Sequence, residues 1–286
     1  MRAGCVELSR HLAPGDWRHL RPAVTGSGLL LVPIDRATMS LVWSDDGYPA
    51  GDAYRDYHRL TTFHHNPWRN DGGPYRHEQA LAQARADAAD FVARTLARLE
   101  QAQQQAGGQL PDGGLAVCAL DTELLGHWWY EGVAWLEAVV SECSRQGLAL
   151  SRLDHALERH RPWSTETETE TETDTDAGAE AVRAALSDWR ASSWGAERDL
   201  STWSAPAVAE LAVVRAGHAA SATAVRELLA LQSSDWAFLI ERRLAESYAR
   251  ERVAGHRAAL AAALAGAGGG PRNLAPDAHP QMLLAP

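Results

Sequence analysis

The chain of 286 residues contains no lysine; all 27 of its basic residues are arginine, an absence that reads as a coding bias and supplies no functional clue. It has only three cysteines, Cys5, Cys118 and Cys143, scattered and without CxxC spacing. That excludes a disulfide framework and a zinc knuckle, and reduced thiols fit an intracellular compartment. No run of eighteen apolar residues is present, so no transmembrane helix is expected. The opening "MRAGCVELSRHLAPGDW" is broken by acidic and polar residues and makes a poor signal peptide, so the expected location is the cytoplasm. Basic charge is also short: the formal net charge is −10, but residues 165–176, "TETETETETDTD", carry six uncompensated carboxylates. The rest of the chain is close to neutral, which leaves no electrostatic footprint for nucleic acid or an anionic membrane.

What is present in excess is tryptophan, eleven residues against three phenylalanines. In a chain that leans acidic, so many indole faces suit a neutral polar ligand with apolar faces, such as a sugar. The apolar content of 45% is enough for a real core. "GLLLVPI" (28–34), "MSLVW" (39–43) and "GLAVCAL" (114–120) are short apolar runs that predict buried strands, with a loop and a short helix after the second. Between them, Leu81, Ala84, Ala88, Phe91, Val92, Thr95, Leu96 and Leu99 recur at helical spacing, predicting a long amphipathic helix closed by Gly107 and Gly108. "EGVAWLEAVVSECSRQG" predicts a helix ending at Gly147, and "LALSRLDHALERH" a short strand leading into another helix. Strand, helix and strand in this order are the pattern of parallel β/α units. The Thr/Glu repeat reads as a solvated loop, the chain beyond Val182 as helices, and the Gly-rich tail from Gly266 as disordered.

One stretch concentrates the chemistry. "LDTELLGHWWYEG" (120–132) places Asp121 at the end of an apolar run, followed by Glu123, His127, Trp128, Trp129 and Tyr130. Spacing alone leaves two alternatives open. Asp121 caps the next helix and the tryptophans fill core, or Asp121 sits in a partly desolvated pocket and gives a proton to a leaving oxygen while the rings hold a sugar. Adjacent His64 and His65 lack a carboxylate or cysteine at ligand spacing, so no metal site is expected.

These residues carry a resemblance. "LDTELLGHWWYEG" is similar to the fourth motif of glycoside hydrolase family 57, "ASSWGAERDLSTW" (191–203) resembles its fifth, and "LLALQSSDWAFLI" (228–240) resembles a helix of its C-terminal domain. "LVWSDDGYPAGDAYRDYH" (41–58) resembles the barrel segment before the fourth motif, and within the family the likeness is greatest to the α-1,4-glucan branching enzymes, including the actinobacterial type. The resemblance implies an α/β fold: the C-terminal strands of a (β/α)7 barrel in residues 1–163, the low-complexity loop at 164–180, an α-helical domain at 181–265 and a tail at 266–286. It implies Asp121 as general acid/base, with Trp43, His127, Trp128, Trp129, Trp194 and Trp203 lining the site and Asp235 and Trp236 closing it from the helical domain. For Trp194 and Trp236 a place in the core between domains stays open. The expected substrate is an α-glucan such as amylose or glycogen, in glycogen synthesis, and no cofactor is implied. The family's nucleophile glutamate and N-terminal histidine motif have no counterpart in the sequence. The expectation is therefore an incomplete barrel, inactive alone, whose N-terminal half is supplied by a separate chain; the alternative is a non-catalytic glucan-binding or regulatory remnant.

Overall fold

A computed structural model describes residues 3–9, 12–25, 28–164 and 221–267. They belong to two compact units, one within Ala3–Ser187 and one within Asp188–Pro286. In the first, a four-stranded sheet has the order β1-β3-β2-β4, formed by β1 (Ala3–Val6), β2 (Ala23–Val24), β3 (Leu30–Pro33) and β4 (Trp163–Ser164). β1 pairs parallel with β3, from Ala3 opposite Leu30 to Val6 opposite Pro33, and β2 pairs parallel with β4. β2 and β3 run antiparallel. The sheet is therefore mixed, where the sequence pattern predicts parallel units. A tight reversal closed by Thr25 and Leu29 accounts for this, because neighbouring strands joined by a short turn must run antiparallel.

Three predicted strands are not strands. "MSLVW" overlaps helix α1 (Arg36–Ser40) and the turn after it. The cause is Asp35, whose buried carboxylate accepts from the backbone N–H of Thr38 at 3.3 Å and from its hydroxyl at 2.5 Å, so an N-cap overrides strand propensity. Residues 114–120 run without a ladder, tied down by single backbone bonds from Leu115 N–H to Leu20 and from Asp35 N–H to Val117. "LAL" at 148–150 is likewise irregular, and the helix after it is α4 (Leu153–Arg159). The "GLLLVPI" strand is present as β3.

The long helix is α2 (His77–Gln105), and α3 (Gly132–Gln146) packs along it. Ala80, Ala84 and Ala88 give α2 a flat face with little side chain on it, onto which Trp135, Val139 and Cys143 of α3 fit with Phe91 and Val92. Tyr54, Leu124 and Trp129 complete this core. Each large side chain so buried contributes roughly 2–3 kcal/mol. A separate tie joins α2 to the start of α1: Arg98 of α2 meets Asp35 at 3.2 Å, and both are buried.

In the second unit, α5 (Ala222–Leu231), α6 (Ser234–Glu241) and α7 (Glu246–Leu264) pack around Leu228, Leu231, Leu260 and Ala263. Glu227 and His256, both buried, meet at 2.8 Å across α5 and α7. Over residues 221–267 the expected helices are present, interrupted at Ser233 and at Arg243, which adopts φ +55°; the part of that expectation from 182 to 220 lies outside the described residues. The Thr/Glu repeat and the Gly-rich tail beyond Ala267 lie outside the described residues.

Candidate functional site

Asp121 stands at the N-cap of a single turn of 3-10 helix, Thr122–Leu124, that the irregular 114–120 segment leads into. The chain then doubles back. Trp129 N–H donates to the Leu124 carbonyl and Gly126 N–H to the Trp129 carbonyl, each at 2.8 Å. Gly126 has φ +95°, a region only glycine enters cheaply. At the start of α3, a Cβ on Gly132 would lie 2.9 Å from the Leu125 Cα, so glycine is required for this loop to seat on the helix. These contacts send the two adjacent tryptophans in opposite directions.

Trp129 is 1% exposed, with the edge of Tyr54 against it at 5.1 Å and Trp135 at 5.2 Å. It supports the site from beneath and offers no face to a ligand. Trp128 is 44% exposed, and its indole N–H reaches the Glu123 carboxylate at 3.4 Å. Glu123 thus orients Trp128. His127 is exposed beside them, its ring 5.2 Å from that of Trp128. Asp121 is exposed as well, where the sequence offered a partly desolvated pocket as one of its two alternatives.

The remaining expected site residues are placed differently. Trp43 is half-buried and packs against the α2/α3 core. Trp236, in the second unit, donates its indole N–H to the Ala230 carbonyl at 2.8 Å and stacks on His256, so its polar atom is spent inside the helical unit. Asp235 is exposed and accepts from the Ser233 hydroxyl at 3.0 Å. Trp194 and Trp203 lie outside the described residues. Among the described residues, no cluster of His, Cys, Asp and Glu is grouped to hold a metal ion, and no helix is long and apolar enough to cross a membrane.

Sequence reasoning missed the counterpart of the motif, the strip "YRDY" at 54–57. Tyr54 packs on Trp129, and the Arg55 guanidinium lies 3.7 Å from the Tyr130 ring centre and 4.3 Å from that of Tyr75. Tyr57 meets Trp128 and His127. The signal was an aromatic pair three residues apart in a segment otherwise rich in turn formers. Burial raises the Tyr54 hydroxyl's pKa, and its bond to Asp87 raises it further; burial, then the carboxylate of Glu131, does the same for Tyr75. Glu131 is itself 2% exposed, with the Tyr75 hydroxyl beside its carboxylate. A buried carboxylate depends on such partners. The Arg55 guanidinium is held between the Tyr75 and Tyr130 rings.

The family profile described as 1,4-alpha-glucan branching enzyme, C-terminal, matches residues 211–271. A probable 1,4-alpha-glucan branching enzyme of Mycobacterium tuberculosis is 29% identical over 250 residues, which cover 74% of this chain and 42% of that protein. Among solved structures, the GH57-type branching enzyme of Pyrococcus horikoshii is 26% identical with a TM-score of 0.63, covering 92% of this chain and 50% of that one. The GH57 branching enzyme of Thermococcus kodakaraensis, solved in complex with glucose, is 25% identical with a TM-score of 0.62, covering 90% and 50%. The chain thus spans about half or less of the length of these relatives. The chain is similar to GH57-type 1,4-alpha-glucan branching enzymes, and the profile that it matches over residues 211–271 describes a C-terminal region of such enzymes.

Proposed function

We propose that the chain carries the acid/base half of an α-1,4-glucan branching site. The observation that carries this reading is the 121–132 loop, which holds a carboxylate and an exposed indole on one short, heavily buttressed turn. In the reaction, a nucleophilic carboxylate attacks the anomeric carbon while Asp121 protonates the departing 4-oxygen. A glycosyl ester forms, and Asp121 then takes the proton of an acceptor 6-hydroxyl as that oxygen displaces the ester. His127 and Trp128 hold the glucan. In this reading, residues 1–163 are closing strands of a (β/α)7 barrel, residues 181–265 an α-helical domain, and the nucleophile comes from an N-terminal half outside residues 1–286. Glycogen synthesis in the cytoplasm is the corresponding role.

The exposure of Asp121 favours a second reading, glucan binding without chemistry. Both readings require binding, so retardation of the chain in native gels cast with glycogen or amylose tests them together. Slowed migration is expected, and Trp128→Ala should relieve it by about tenfold in apparent affinity, the scale of losing a central aromatic contact. Migration unchanged by glucan, in a folded chain, would remove both. Iodine staining of amylose and reducing ends after debranching then separate them in an assembly that contains the nucleophile half: transfer is expected on the first reading and none on the second. Residues 1–286 alone should give none on either.

A further inference from the structure

We propose that Tyr57 is a sugar-contacting residue, forming with Trp128 and His127 a single ledge; this rests on the glucan-binding reading of the 121–132 loop. Its ring centre lies 4.7 Å from that of Trp128, with the planes inclined at 49°. Its hydroxyl is 3.2 Å from His127 Nε2. Tyr57 is half-buried, His127 exposed and Trp128 nearly half exposed, so three rings meet at the surface. Whichever nitrogen of His127 carries the proton, Nε2 is engaged with Tyr57, and Nδ1 is left to meet a sugar hydroxyl.

A chance cluster of surface rings would be loosely held, and this one is fixed. The Asn66 side-chain amide donates to the carbonyls of Asp56 at 2.9 Å and Tyr57 at 3.0 Å. Asp56 N–H donates to the Trp68 carbonyl, and His58 N–H to the Asp56 carboxylate at 2.9 Å. The backbone on either side of Tyr57 is therefore pinned while its ring stays accessible. Tyr54, three residues earlier on the same strip, is fully buried and supplies the anchoring, so Tyr57 is not needed for the core. An immobilised aromatic at the surface lowers the ordering cost of binding, which is what a stacking platform requires.

The test is calorimetric titration of residues 1–286 with maltohexaose, using cellohexaose as the flat-chain control and thermal unfolding to verify each variant. Tyr57→Leu keeps apolar bulk and loses the flat face, and should weaken maltohexaose binding about tenfold with an unchanged unfolding temperature. Tyr57→Phe restores the face and should bind within about threefold of the parent. Asn66→Ala, which touches no sugar, should fall between them. Parent-like binding by Tyr57→Leu, or a loss in Tyr57→Phe equal to that in Tyr57→Leu, overturns the proposal while the glucan reading stands. Failure of the parent chain to bind maltohexaose overturns both.

Discussion

Replacing Asp35 with alanine is expected to destabilise the unit of residues 3–164 by about 3–5 kcal/mol, the usual cost of stranding one partner of a buried ion pair. Asp35 is fully buried and does three things at once. It caps α1 through Thr38, its N–H holds the Val117 carbonyl, and its carboxylate takes the Arg98 Nε and Nη2 donors at 3.3 and 3.2 Å. Arg98 also donates to the Asp16 carbonyl at 2.7 Å, so the same guanidinium fastens the 3-10 turn Trp17–Leu20. The alanine variant leaves that cation 8% exposed and uncompensated. Thermal unfolding should shift down by about 10 °C. Adding Arg98→Met should recover a substantial part of the loss, because an apolar side chain of similar length fills the site without a charge. A single-variant loss under about 1 kcal/mol would mean that the pair is solvated in the folded chain. Cys118 lies near this charge; burial, then Asp35, pushes its thiol up to about 12, so it should resist alkylation at neutral pH until the unit opens.

Asp121→Asn is expected to lower glucan transfer by about a hundredfold to ten-thousandfold in an assembly that contains the nucleophile half, the range attributed to a positioned general acid/base. The amide keeps the shape of the side chain and loses the transferable proton, so glucan binding should be nearly unchanged. α-Maltosyl fluoride sharpens the test, since fluoride leaves without protonation: the variant should still form the glycosyl ester from it. Glu123→Gln should do less damage, because Glu123 touches the indole of Trp128 and serves to orient it. Equal losses from the two substitutions, measured as initial branching rates, would contradict the roles assigned here.

The sequence made the helices legible and the sheet largely opaque. α2 and α3 announce themselves by apolar spacing and by the glycines beyond their ends, because a helix face is decided by residues three and four apart. "MSLVW" and "GLAVCAL" misled because a short apolar run says that it is buried and not which backbone bonds it will make. In the first case one buried cap, Asp35, decided for helix. In the second, only single bonds to Leu20 and Asp35 were on offer. At the site, the motif was readable as a string, but its neighbours were not. Nothing in "HWW" tells which tryptophan turns inward; Tyr54 and Gly132 settle it, one by covering Trp129 and the other by letting Leu125 approach. Tyr57 and Arg55 were not singled out because Trp128 and Tyr130, which they meet at the site, lie far along the chain.

The most direct test of the central claim, that the 121–132 loop holds a glucan for acid/base chemistry by Asp121, is a crystal structure of the chain with bound maltoheptaose. The expected result is a sugar ring against Trp128, with a glycosidic oxygen at hydrogen-bond distance, about 2.6–3.2 Å, from the Asp121 carboxylate. Oligosaccharide bound only elsewhere, with Trp128 and Asp121 left to solvent, would contradict it.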